Sequence, residues 1–307
     1  MDPSESGRAF AALGADLFLL SIRPRDGKLM TWGRIDLGLM GSELVRLAAA
    51  GRAGIAEGRI AVLDRTPAGD TELDAALLSL VDAPFAPRPE PWVGLPRRGI
   101  RDAYAARLVS AGALRVKPSR IIGASHYVVI DSSRVAAARS RLDAIAESSG
   151  LPAGSAQAAL GGLACAIGLG GVLYPGRPGR DRRARLAEIA RQEVMAHATA
   201  AISAGPGPVP PAGPPGGAGE PPWEAAGDLP RDAAEADTGL AALAGAREAI
   251  AAAVHAVTAV VDSGAVISSP AAGTHGPGDH GTSRHGGDGH HAGAHGDRGR
   301  IGGFRLR

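Results

Sequence analysis

Apolar residues recur at helical spacing along most of residues 36–200. Leu37, Met40, Leu44 and Leu47 step by three and four and predict a helix over about 36–51, stopped by Gly51. Leu73, Leu77 and Leu80 predict a second, opening at Asp70 or Thr71, whose side-chain oxygen accepts orphan amide hydrogens of the first turn. Ile100, Tyr104 and Leu108 mark a third over about 97–111, ended by Gly112. Further helices are expected over about 133–148, with Ser133 as cap, over 155–173 and over 180–200. Two stretches read as hairpins instead. One covers 54–64 and turns at Glu57-Gly58; the other covers 113–131, turns at Pro118-Ser119 and returns through Tyr127-Val128-Val129-Ile130. Residues 15–23 form an apolar run, followed by a turn at Arg25-Asp26-Gly27 and a returning strand over Leu29–Trp32. Residues 83–96 read as a proline-punctuated loop. The pattern is that of a mainly α protein: a single helical-core domain with short β-hairpins.

The pattern changes after residue 202. Residues 203–230 hold nine prolines among many glycines and cannot supply a core, and residues 220–237 are acidic. A last helix over about 238–262 carries Leu240, Leu243, Ile250, Val254, Val257 and Val261 on one side, a face that must pack back on the first part. The expected organisation is a flexible N-terminus (1–14), the helical domain (15–202), a disordered Pro/Gly-rich acidic insertion (203–237), a final helix completing the domain (238–264) and a disordered Gly/His-rich tail (265–307). Residues 149–176 carry no charge and are long enough to cross a bilayer. They are dominated by Gly and Ala, which contribute little transfer energy, so a buried central helix closely approached by its neighbours is expected instead.

Charge narrows the chemistry. The formal net charge is only +2 on 307 residues, so an electrostatic partner must meet a local patch. Nearly all positive charge is arginine, the only lysines being Lys28 and Lys117; with the Gly and Ala excess this reads as GC-rich coding and points to a bacterial source. The densest basic stretch holds Arg97, Arg98, Arg101, Arg107, Arg115, Lys117 and Arg120 against Asp102. Guanidinium groups bind phosphate oxygens bidentately, which suits phospholipid headgroups or nucleic acid, and a solvated basic face is the plain alternative. A second cluster, Arg177, Arg180, Arg182, Arg183 and Arg185, reads as helix solubility. Cys165 is the only cysteine, which excludes an internal disulfide and a cysteine zinc site and fits a reducing compartment. The N-terminal Met1-Asp2-Pro3-Ser4-Glu5-Ser6 lacks the features of a signal peptide, so a cytoplasmic location is expected.

No catalytic motif emerges. Gly276, Gly278 and Gly281 spell G-x-G-x-x-G, but no strand precedes them and no helix follows. Ser125 beside His126 is adjacency, not a triad. Histidines at 275, 280, 285, 290, 291 and 295 fit no standard zinc site and read as a low-complexity tail. The expectation is a binding protein rather than an enzyme, with no cofactor and no metal.

Three stretches together resemble one family. Gly38-Leu39-Met40-Gly41-Ser42-Glu43-Leu44, running on to Ala48-Ala49-Ala50-Gly51-Arg52, is similar to its "GLxG…LxLAxxGR" helix. Thr66-Pro67-Ala68-Gly69-Asp70-Thr71-Glu72-Leu73-Asp74-Ala75-Ala76-Leu77 is similar to its "TPTGDxLLDEAL" signature, the most specific of the three. Arg98-Gly99-Ile100-Arg101, followed by Leu108-Val109-Ser110-Ala111-Gly112-Ala113-Leu114, is similar to its "RxxR…LVExGVL" helix and hairpin. The family is that of Golgi phosphoprotein 3, peripheral membrane phosphoproteins with many bacterial members. The resemblance covers about residues 15–200. It implies a mostly helical domain whose basic face binds phosphatidylinositol 4-phosphate, and whose protruding hairpin inserts into the membrane or makes oligomer contacts. On that basis Arg98 and Arg101 match two headgroup arginines and Trp32 falls within about one residue of the headgroup tryptophan. Arg120, Ile121 and Ile122 form the membrane-contacting hairpin. Met40 stands where the family has a headgroup arginine, with Arg34 as the candidate substitute. For a bacterial protein the lipid is then another anionic phospholipid.

The first expectation is accordingly a cytoplasmic, peripherally membrane-associated protein that binds phosphatidylinositol 4-phosphate or another anionic headgroup, with a protein partner or a homo-oligomer possible. Two alternatives stay open. A basic helix followed by a hairpin bearing Lys117 and Arg120 also describes a winged-helix nucleic-acid-binding module, ranked below the lipid binder. A protein–protein adaptor would use residues 203–230 as its docking segment.

Overall fold

Helix formation begins at the third residue. In the computed structural model, which describes residues 3–118, 125–152, 154–203 and 231–264, α1 runs Pro3–Ser21. The flexible N-terminus expected over 1–14 is therefore corrected, because Phe10, Leu13, Leu17 and Phe18 fall on one face and are buried. The remaining elements are α2 (Ile35–Ala49), β1 (Ala53–Ala56), β2 (Arg59–Val62), α3 (Thr71–Val81), α4 (Pro89–Gly94), α5 (Ile100–Ser110), β3 (Leu114–Pro118), β4 (Ser125–Val129), α6 (Ser132–Glu147), α7 (Ala156–Ala166), α8 (Leu169–Leu173), α9 (Arg180–Ser203) and α10 (Arg231–Asp262). The mainly helical fold with two small hairpins is as the sequence predicts. All described residues belong to one compact unit, Met1–Ser269.

α2 is the central element. Ile35 and every residue from Leu37 to Ala48 are buried, so the helix is surrounded rather than merely faced. α1, α3, α4, α5, α7 and α10 all pack on it. The expected return of the last helix is borne out: α10 packs on α2, α4, α7 and α9, with residues 249–254 buried on every side. α10 begins at Arg231, seven residues before the expected start at 238, so part of the segment assigned to the disordered insertion is helical. Its alanines, with Ala253 and Val257 against Gly41 of α2, let the two backbones approach closely.

The uncharged stretch holds two helices, α7 buried in the core and the short α8, of which Leu169 and Gly170 are buried. α7 buries nine of its residues and ends where Gly168 adopts φ +82°, a left-handed conformation that separates α7 from α8 and divides the single helix expected over 155–173. Among the described residues no helix is long and apolar enough to cross a membrane. Asp70 caps α3 as expected, accepting the Leu73 amide hydrogen at 3.1 Å. The cap of α6 is Asp131 rather than Ser133: its Oδ1 accepts the Ser133 amide hydrogen at 3.0 Å. The stretch 83–96 is not all loop. Pro89 presets φ for the first turn of α4, and Val93 is fully buried against the rest of the core. Leu29–Trp32 is not a strand either; a single bridge joins Ile22 to Leu29 and the chain then turns into α2.

Both hairpins form, the first at its expected turn; the second does not turn at Pro118-Ser119 as expected, because Pro118 still lies in β3, opposite Ser125. β1 pairs with β2 around Glu57-Gly58, with Ala53 opposite Val62. β3 pairs with β4 from Leu114 opposite Val129 to Pro118 opposite Ser125. The base of this second hairpin is fixed to the body: the Tyr127 amide donates to the Gly27 carbonyl at 2.9 Å, and the Tyr127 ring stands edge-on to Phe18 at 5.2 Å. Its tip, with Arg120, Ile121 and Ile122, lies outside the described residues, as do 204–230 and the histidine tail.

Candidate anion-binding site

The helix starts of α2 and α5 lie side by side, and the site is built on that juxtaposition. Trp32 sits in the turn that enters α2, a turn closed by the Arg34 and Ile35 amides donating to the Thr31 carbonyl at 2.8 and 2.9 Å. Its ring is 43% exposed, unusual for the largest apolar side chain. Arg101, in the first turn of α5, lays its guanidinium over that ring, 4.0 Å from the centroid. Its Nε lies 2.7 Å from Asp36 Oδ1 in the first turn of α2. Burial raises the Asp36 carboxyl above its usual range even though Arg101 faces it. Arg101 Nη1 is buried with no hydrogen-bond partner among the described residues.

Arg98 completes the arrangement from the N-terminal side. It is exposed and has no ion pair among the described residues. Gly99, at φ +79°, is the N-cap of α5 and supplies no side-chain cap. The Ile100 amide donates to the Arg97 carbonyl at 3.1 Å, and the amides of Arg101 and Asp102 receive no side-chain cap at the positive end of the helix dipole. An uncapped helix start with flanking guanidiniums is an anion-binding arrangement. The structure thus stacks Arg101 on Trp32 and leaves Arg98 exposed three residues earlier, before the start of α5.

Met40 and Arg34 behave differently. Met40 is 1% exposed, two turns into the surrounded helix α2, so that position cannot present a side chain to a ligand at the surface. Arg34 is exposed but reaches toward the α7–α8 corner: its Nη1 lies 3.2 Å from where a Cβ on Gly168 would stand.

Two arginines of the basic stretch, Arg97 and Arg107, turn inward, which periodicity alone does not reveal. Arg97 ion-pairs with Glu43 and donates to the Glu72 carbonyl at 3.2 Å. Arg107 reaches Asp70 at 2.7 Å and Glu72 at 3.2 Å. Arg46 is held by Asp70 at 2.5 Å and donates to the Tyr104 hydroxyl at 3.2 Å. Burial pushes the Tyr104 hydroxyl up to about 12, so it stays protonated. The helices that carry the three resembling motifs therefore share one ionic cluster between α2, α3 and α5. The available signal was charge on otherwise apolar helices: Glu43 and Arg46 lie within the Leu-rich run of α2. The second basic cluster is also structural. Arg182 pairs with Glu147 and Asp143, Arg139 stacks on Tyr174 at 4.5 Å, and Arg183 donates to the Tyr174 and Gly176 carbonyls. No group of His, Cys, Asp and Glu that could hold a metal ion occurs among the described residues.

A surrounded central helix, a hairpin anchored at its base and an arginine stacked on a half-exposed tryptophan at two helix starts define a class of helical domain. The family model for Golgi phosphoprotein 3 matches residues 13–204, and the chain belongs to that family. The match ends before α10, which nonetheless completes the core. No curated protein matches the chain significantly.

Proposed function

We propose that this protein binds the headgroup of an anionic phospholipid, phosphatidylinositol 4-phosphate or another, as a peripheral, non-catalytic membrane partner from the cytoplasmic side. The carrying observation is the Arg101 guanidinium stacked on a half-exposed Trp32, with unpaired Arg98 beside it at an uncapped helix start. Arg98 and Arg101 take the phosphate oxygens, and the α5 amides add directional donors. Trp32 sits at the level where an amphipathic ring meets headgroups. Asp36 holds Arg101 in the free protein, and an incoming phosphate takes over that role. Arg115 and Lys117, exposed on β3, extend the positive field toward the hairpin tip. Each arginine near an anionic surface contributes about 1 kcal/mol, so binding is weak, salt-sensitive and reversible.

Co-sedimentation tests this with neutral liposomes, liposomes containing phosphatidylserine and liposomes containing phosphatidylinositol 4-phosphate, with duplex DNA as competitor. The Arg98→Glu/Arg101→Glu protein should pellet at least tenfold less with anionic liposomes while keeping its helical circular dichroism spectrum, about 1.4 kcal/mol or more of lost binding. Undiminished pelleting by a folded double variant removes the site. Displacement by duplex DNA at low concentration favours nucleic acid as the partner.

A further inference from the structure

α1, α6 and α7 do not close fully against one another. Between them runs an open groove of about 570 Å³, within the range of roughly 300–1,000 Å³ usual for small-ligand sites. Its floor is apolar, formed by buried Leu13, Ile145 and Leu160. The facing positions Ala12 and Ala144 carry only methyl groups, and that missing bulk is what leaves the groove open.

The rim is charged and out of balance. Arg141 of α6 spans to Asp16 of α1 through two hydrogen bonds, Nε at 2.9 Å and Nη2 at 2.6 Å, so both oxygens of that carboxylate are engaged. The Arg141 side chain nevertheless remains 49% exposed. Arg8, one helical turn before Ala12, is exposed and has no ion pair among the described residues. Two guanidiniums thus face one carboxylate at the mouth of an apolar slot. Burying an alkyl chain on that floor removes apolar surface from water, and a carboxylate at the rim supplies the missing negative charge.

We propose that this groove binds a free long-chain carboxylate, with its alkyl chain on Leu13, Ile145 and Leu160 and its headgroup between Arg8 and Arg141. None of these residues belongs to the Trp32–Arg98–Arg101 site, so the two readings stand or fall separately. The test is displacement of a fluorescent anilinonaphthalene sulfonate probe from the full chain by laurate or by dodecyltrimethylammonium, which have the same chain length and opposite charge. Laurate should displace the probe at one equivalent and the cationic amphiphile at least about tenfold less well, a 1.4 kcal/mol difference. Arg8→Glu should weaken laurate by about tenfold. Ala144→Trp, made at an exposed position, should abolish binding with an unchanged circular dichroism spectrum and melting temperature. Equal displacement by both amphiphiles, or laurate binding that survives Ala144→Trp, overturns the proposal. Liposome pelleting by both variants should match the parent protein, which keeps this outcome distinct from that of the headgroup site.

Discussion

Asp70 accepts the Leu73 amide with one oxygen and two guanidiniums, those of Arg46 and Arg107, with the other. Burial alone would raise this carboxyl, but Arg46, the Leu73 amide and Arg107 together hold it below its usual range. Asp70→Asn keeps the cap, since Asn caps as well as Asp, and removes only the charge. It leaves Arg46, whose side chain is 3% exposed, without its ionic partner, and the expected cost is about 3 kcal/mol in urea unfolding. A loss under about 1 kcal/mol would mean that the Tyr104 hydroxyl suffices for Arg46. Glu43 works in the opposite sense. Its burial outweighs Arg97 and Arg46 and pushes it from 4.5 up to about 7. Between those values the folded protein holds a proton that the unfolded chain has released, so stability falls as pH rises through that window and the loss is complete above it. The whole effect amounts to about 3 kcal/mol. Glu43→Gln should therefore flatten the stability profile between pH 5 and pH 8, checked by urea melts of both proteins at each pH. Parallel profiles would show that Glu43 is ionised throughout. Asp70 was legible as a cap because capping is local. Its ionic role was not, because Arg46 and Arg107 lie 24 and 37 residues away along the chain.

At the scale of elements, close approach decides more than propensity. A Cβ on Gly162 of α7 would stand 2.8 Å from Val254 Cγ2 of α10. Gly162→Ala gains roughly 1 kcal/mol of helix propensity but overpacks a rigid branched side chain, at a cost of about 1–3 kcal/mol, so the net change should be destabilising. Adding Val254→Ala should restore part of the loss, because it removes the clashing methyl. A double-mutant cycle by thermal melting measures that coupling; strict additivity would show that the two sites do not touch. Leu163, fully buried against Gly41, should cost about 2–5 kcal/mol when cut to alanine. α2, α3, α5 and both hairpins were readable because apolar spacing and turn residues are local signals. α4 was missed because its prolines read as loop punctuation, although Pro89 stands at a helix start, where proline is at home. α1 was missed as a helix: 1–14 read as flexible and 15–23 only as an apolar run, because Pro3–Gly7 is polar and the Ala15–Ser21 run is too continuous to show a stripe.

Across the whole molecule, α10 closes a core that residues 13–204 cannot close alone. Gly41, Gly162 and Gly94 face Val257, Val254 and Val260, so removing α10 uncovers apolar surface on α2, α7 and α4 together. A chain ending at residue 230 should bind a hydrophobic dye and lose its cooperative melt, and a peptide of residues 231–264 added in trans should restore the melt. A cooperative melt without α10 would show that the helix is accessory. Membrane binding belongs to this scale as well. With a formal net charge of only +2, the proposed membrane contact has to be made through the Arg98–Arg101 side and not through the mean field. Liposome pelleting should therefore fall steeply as salt rises toward 0.5 M and recover on dilution.

By itself the sequence determined the helices with clear apolar stripes, the two hairpins, the return of the last helix and, through three short motifs, the family. Each rests on spacing within about ten residues, or on a motif that carries its own register. Only the tertiary structure decided which arginines are available. Arg97 and Arg107 look equivalent to Arg98 along the chain, yet they turn inward to Glu43, Glu72 and Asp70 while Arg98 stays in solvent. It also placed Met40 inside the core and stacked Arg101 on Trp32. Those outcomes depend on how α2, α3 and α5 meet, and pairings between distant charges leave no periodic trace in the order of residues.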